Sequence, residues 1–177
     1  LDIVLKKLTK IERFMTDYDL KLQQLQKEFI EINTKRANKW QFTPDQKAIY
    51  DFVIKSQRYT TFNIAGYDII LKVGNEDFGF KHFLLKHYGT GCVGEIKAND
   101  ILKLGNVIKH NISVPAKEDK IKFIQTKGDL KYSVVLKPQK DGKLVVSFFS
   151  SKEEIKIIEQ IEIINEIIIS VEIETKL

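Results

Sequence analysis

Two of the chain's three histidines stand five residues apart in Gly79-Phe80-Lys81-His82-Phe83-Leu84-Leu85-Lys86-His87, with lysines interleaved. Imidazole is the side chain that moves protons near neutral pH, and lysine stabilises charge on a phosphate. If the segment is helical, His82 and Lys86 share a face, whereas His87 lies roughly 140° round from His82. A site using both imidazoles therefore needs the edge of the helix, or a last turn that opens before Gly89. Two partly exposed histidines on a short helix are the plainer reading of the same residues. Zinc does not suit the spacing. A helical ligand pair needs four residues, an acid between them is missing, and Cys92 is the only cysteine. No metal and no cofactor is expected. Cys92, set among glycines, reads as structural rather than nucleophilic; it excludes an intramolecular disulfide and leans toward a reducing compartment. His110, in Lys109-His110-Asn111, is a loop residue that is either exposed or a further member of the site. The run Gly89-Thr90-Gly91-Cys92-Val93-Gly94 follows a helix and not a strand, which excludes a nucleotide-binding turn.

The elements that hold these residues are legible in the hydrophobic pattern. Tyr59 to Ile64 and Tyr67 to Val73 read as two strands about Ala65-Gly66. Lys81 to Tyr88 is a short helix closed by Gly89, and Asn99 caps another that carries Ile101, Leu102 and Leu104. Lys120 to Thr126, Lys131 to Lys137 and Lys143 to Phe149 form an antiparallel meander, because the turns between them are too short for a parallel crossover. Upstream, Thr43-Pro44-Asp45 starts a helix over about 44–56.

Residues 1–36 carry an unbroken 3,4 alternation of apolar positions: Leu1, Val4, Leu8, Ile11, Met15, Tyr18, Leu22, Leu25, Phe29 and Ile32. That is the period of an a/d seam, and it predicts one amphipathic helix over about 2–36. Leu5, Phe14, Leu20 and Ile30 widen the stripe, which suits a helical assembly between copies or packing back onto the domain. The expected class is α+β: a long N-terminal amphipathic helix plus a small domain of short helices on a mainly antiparallel sheet. Its expected parts are a helical arm over 1–58, a basic domain over 59–152 and an acidic, isoleucine-rich tail over 153–177.

Charge separates these parts. Residues 78–152 hold fourteen lysines against six acids, whereas residues 153–177 hold seven glutamates against two lysines. A lysine-rich domain suits an anionic partner such as nucleic acid, or simply a soluble surface. The tail's isoleucines suit a strand or a helix with glutamates on its wet face; alternatively the tail competes for the basic surface. No stretch is long and apolar enough to span a bilayer, and the first residues lack the charged start of a signal peptide.

The order of a hydrophobic strand, Gly-Phe-Lys-His-x4-His, a loop into a short helix, and a basic meander ending Val145-Val146-Ser147-Phe148-Phe149-Ser150 resembles the phage-associated barnase, EndoU, colicin and RelE-like (BECR) nuclease superfamily. The resemblance runs from about Tyr67 to Lys152. It implies RNA cleavage without a metal: the ribose 2′-OH attacks phosphorus and leaves a 2′,3′-cyclic phosphate. On that reading His82 and His87 do the acid–base work and Lys86 stabilises charge. Thr126, Tyr132 and Ser147 offer hydroxyls from the sheet, while Lys81, Lys131 and Lys137 hold RNA. The same resemblance implies a cytoplasmic site of action after delivery by a phage particle or secretion system. An immunity protein or a phage head component would then be partners beside RNA, and the helix would permit a homo-oligomer. The rival reading is a non-catalytic interaction protein with a coiled-coil arm and a basic nucleic-acid-binding face.

Overall fold

The structure, a computed structural model, describes residues 15–36, 40–92 and 94–152. Its first helix, α1 (Asp17–Arg36), begins where side chains take over from the helical ladder. The Thr16 amide donates to Asp19 Oδ2 (3.0 Å) and the Asp19 amide donates to Thr16 Oγ1 (3.2 Å), a reciprocal cap. The helix expected over 2–36 does not run through Met15 and Thr16, where Thr16 and Asp19 cap the first turn of α1. The seam positions before Met15 lie outside the described residues. The remaining seam turns inward: Leu25 and Phe29 are fully buried, and Tyr18, Leu22 and Ile32 pack against the same core. Leu20 (49% exposed) and Ile30 (53%) lie on the solvent side. Helix α2 (Pro44–Ile54) has proline in its first turn, and the Thr43 amide donates to Gln46 Oε1 (3.2 Å).

Among the described residues six strands form one sheet: β1 (Tyr59–Ile64), β2 (Tyr67–Lys72), β3 (Ser113–Pro115), β4 (Ile121–Lys127), β5 (Leu130–Pro138) and β6 (Leu144–Lys152), in the order β1-β2-β6-β5-β4-β3. The β1–β2 hairpin turns at Ala65 and Gly66, both at positive φ. The expected meander is β4–β5–β6, antiparallel throughout. Two features have no local signal. The three-residue β3 pairs with β4, and β6 lies parallel to β2 through Ile69↔Leu144 and Ile70↔Val145. The short helices are α3 (Phe80–Lys86), α4 (Ala98–Leu102) and α5 (Leu104–Lys109). The cap of α4 is Lys97 and not the expected Asn99, since Asp100 Oδ2 accepts the Lys97 amide (3.0 Å) and starts the turn earlier.

One hydrophobic core unites Leu25, Phe29 and Phe52 with Phe80, Phe83, Val134 and Phe148. Helices α1 and α2 are therefore walls of the domain, not an arm beside it. The architecture is α+β, with short helices packed on a mainly antiparallel sheet. Between α2 and α5 the approach is close enough to demand glycine. A Cβ on Gly105 would stand 2.2 Å from Asp45 Oδ2 and 2.9 Å from Ile64 Cδ1. Asp45 is only 3% exposed; its other oxygen accepts from Lys109 Nζ (2.8 Å) and from the Thr43 hydroxyl (2.7 Å). Among the described residues no helix is long and apolar enough to cross a membrane.

Candidate functional site

Helix α3 is anchored by its apolar side. Phe80 sits edge-on to both Phe52 and Phe83, each at 5.0 Å between ring centroids, and Phe80, Phe83 and Leu84 are fully buried. With that side inward, His82 and Lys86 are left outward. The turn before the helix is built by Asn75, whose Oδ1 accepts the amides of Asp77 and Phe78 (3.0 Å each). This turn delivers the Glu76 carbonyl to His82 Nδ1 at 2.6 Å. The contact makes Nδ1–H the donor and leaves Nε2 as the ring atom available for chemistry.

The far end of α3 opens at His87, whose backbone (φ −127°, ψ −21°) has left the helix. Lys21 from α1 closes this end: its ammonium donates to the carbonyls of Leu85 and Tyr88. A cation there suits the negative pole of the helix. Freed from helical geometry, the His87 ring comes to 5.6 Å from that of His82, at 68°. Its other neighbour is Phe149, with centroids also 5.6 Å apart. Burial holds the His87 imidazole below its ordinary value of 6.5, and the nearby His82 and Lys86 push it the same way. Segment 94–96 runs beside β6, where the Ser150 hydroxyl donates to the Glu95 carbonyl (2.8 Å). Gly94, at φ 96°, is needed because a Cβ there would meet the Ser150 carbonyl at 2.8 Å.

Strand register sorts the remaining candidates. Thr126 faces Lys131, Ser147 faces Val135 and Lys137 faces Val145, so all four candidates share with Phe149 the sheet face opposite the core. His87 reaches this face through Phe149. Tyr132 is paired with Gln125 and Ser150 on the core-facing side, stacked on Phe148 (6.2 Å, 22°), and so is separated from the other two hydroxyls. Ser147 is 3% exposed and Thr126 is exposed at the far end of β4. Lys81 forms an ion pair with Glu76 (3.4 Å). Lys81 and Lys86 border a cavity of about 720 Å³ with Tyr18 and Gly74, which neither histidine lines.

Sequence reasoning missed two partly exposed aromatic rings that carry lysines. Lys122 Nζ lies 5.5 Å from the Phe149 centroid, and Lys120 and Lys137 lie 5.9 Å and 6.0 Å from that of Phe78. Alternation along β4 could have placed Lys122 on the face of Thr126; nothing local to Phe78 shows that its loop returns to the sheet. Among the described residues no three His, Cys, Asp or Glu side chains gather as a metal-ligand set. Comparison of the chain with family models, with curated proteins and with solved structures finds no match.

Proposed function

We propose that the chain is a ribonuclease that cleaves RNA by attack of the ribose 2′-OH on the adjacent phosphorus, without a metal. The observation that carries this reading is the His82–His87 pair, two imidazoles 5.6 Å apart in different environments. His87, held toward its neutral form, accepts the 2′-OH proton. His82, fixed through Nδ1 on the Glu76 carbonyl, donates from Nε2 to the departing 5′ oxygen. Lys86 stabilises charge on the phosphorane. The lysine-bearing rings of Phe149 and Phe78 offer stacking surface and cations to the strand, the combination that holds single-stranded nucleic acid. Tyr132, on the other side of the sheet, takes no part in this step.

The lysine–aromatic face also suits a nucleic-acid binder that does not cut, and one experiment separates the two. Labelled RNA is incubated with the protein, with and without EDTA, and the product ends are identified. The expected products carry 2′,3′-cyclic phosphates and form equally in chelator. His82→Ala and His87→Ala should each lower turnover about 10²-fold or more while RNA affinity survives. RNA that is bound and never cut would leave the binder. Activity lost in EDTA and restored by zinc or magnesium would overturn the metal-free mechanism.

A further inference from the structure

On the core-facing side of the sheet, between α4–α5 and the ends of β4 and β5, lies a cavity of about 230 Å³. Val107, Phe148 and the Tyr132 ring form its apolar wall. Its rim is polar and, within the protein, underused. Among the described residues the amides of Asn99, Asn106 and Gln125 and the Lys103 ammonium have no hydrogen-bond partner. The same holds for the Tyr132 hydroxyl and the His110 ring. Asp100 spends Oδ2 on the Lys97 amide and keeps Oδ1. Lys127 stands 6.0 Å from the Tyr132 ring centroid. Polar groups that converge on a concave surface beside an apolar wall are able to fix the orientation of a ligand.

The arrangement of charge narrows the ligand. Lys103, Lys127 and His110 present cationic or donor groups to an anion, and three such groups match the oxygens of a phosphomonoester better than a single carboxylate. The Asp100 carboxylate, close enough to the Tyr132 phenol to help burial raise its pKa, calls for a donor on the ligand. The amides can read hydroxyls or the edge of a heterocycle. At this volume the cavity falls below the roughly 300–1,000 Å³ of sites for drug-sized molecules, so it takes one sugar phosphate or one nucleotide. We infer that this cavity binds a ribose phosphate, free or as part of a mononucleotide, with its phosphate on Lys103, Lys127 and His110 and its hydroxyls toward Asp100 and the amides. The site is independent of the histidine pair, whose Phe149 contact lies on the opposite face of the sheet.

Calorimetric titration of the full chain with ribose 5-phosphate, adenosine 5′-monophosphate, uridine 5′-monophosphate, inorganic phosphate and citrate tests this. The phosphomonoesters should bind more tightly than inorganic phosphate and citrate. A nucleotide that outperforms ribose 5-phosphate places its base on the Val107–Phe148 wall; equal affinities leave the base outside, and both results support the site. The double variant Lys103→Gln/Lys127→Gln should weaken binding by about tenfold or more. Asp100→Asn should weaken ribose 5-phosphate and spare inorganic phosphate. His82→Ala, which the nuclease reading expects to lower RNA turnover, should leave the affinity for ribose 5-phosphate as it is, which keeps this result separate from the nuclease assay. Flat titrations for every phosphomonoester, citrate binding as tightly as ribose 5-phosphate, or unchanged affinity in the lysine variant would each overturn the inference.

Discussion

His87 should report its own surroundings by titration. The unfolded chain takes up this proton near the ordinary histidine value of 6.5, and the folded protein only at lower pH. Between the two values the unfolded state holds more protons, so stability rises with pH there. The contribution is complete above 6.5 and is lost as pH falls through the folded value. Urea midpoints should therefore decline from pH 7 to pH 5, and His87→Gln should flatten that decline. An unchanged slope in His87→Gln would show that its imidazole is not disfavoured as a cation. The limb of the RNA-cleavage profile set by the base should likewise fall below pH 6.5. The histidines were legible as residue types, and helical geometry correctly denied them a shared helical face. Their meeting was not legible, because it depends on the helix stopping at Lys86, and Lys21 helps to close that end from a distant part of the chain. Tyr132 shows the converse: its strand was evident, but its parity relative to Thr126 and Ser147 follows only from the register.

Elements that begin or end on side-chain caps were readable to within a few residues, as α2 at Thr43-Pro44 and the meander turns show. What periodicity could not say is which surface the α1 seam covers. The buried seam predicts that Leu25→Ala costs about 2–5 kcal/mol in denaturant unfolding, as in a domain core, while Leu20→Ala on the solvent side is nearly silent. Similar small losses at both positions would return α1 to the role of a detachable arm. The α2–α5 junction makes a sharper claim. Gly105→Ala, ordinarily a favourable change inside a helix, should here destabilise by about 1–3 kcal/mol, because the methyl meets the Asp45 carboxylate and Ile64. The double change Gly105→Ala/Asp45→Ala, measured against each single change, should show coupling between the two sites. Additive effects would mean that the carboxylate simply moves aside. The glycine itself carries no sequence mark of this role: it lies in an ordinary helical pattern, and its contact is with a residue of another helix.

The β4–β5–β6 meander is local in the chain and could be read there, whereas the sheet as a whole is joined by the short parallel pairing of Ile69 and Ile70 with Leu144 and Val145. No turn between β2 and β6 announces that pairing, which is why the meander was foreseen and its place in the sheet was not. The strand made latest among the described elements is thereby an interior one, with β2 on one side and β5 on the other. During synthesis the β1–β2 hairpin and the β4–β5 hairpin must both wait with an unpaired edge until β6 emerges and fills the gap between them. Closing so long a loop late should make folding slower than in a domain built from local contacts. A chain ended at Lys143 should retain both hairpins yet present two open edges, and sedimentation should find it more self-associated than the full chain. The same fragment remaining monomeric would mean that the edges are blunted in some other way. For the cell that makes this protein, the interval before residue 144 leaves the ribosome is then the period in which a chaperone has most to shield.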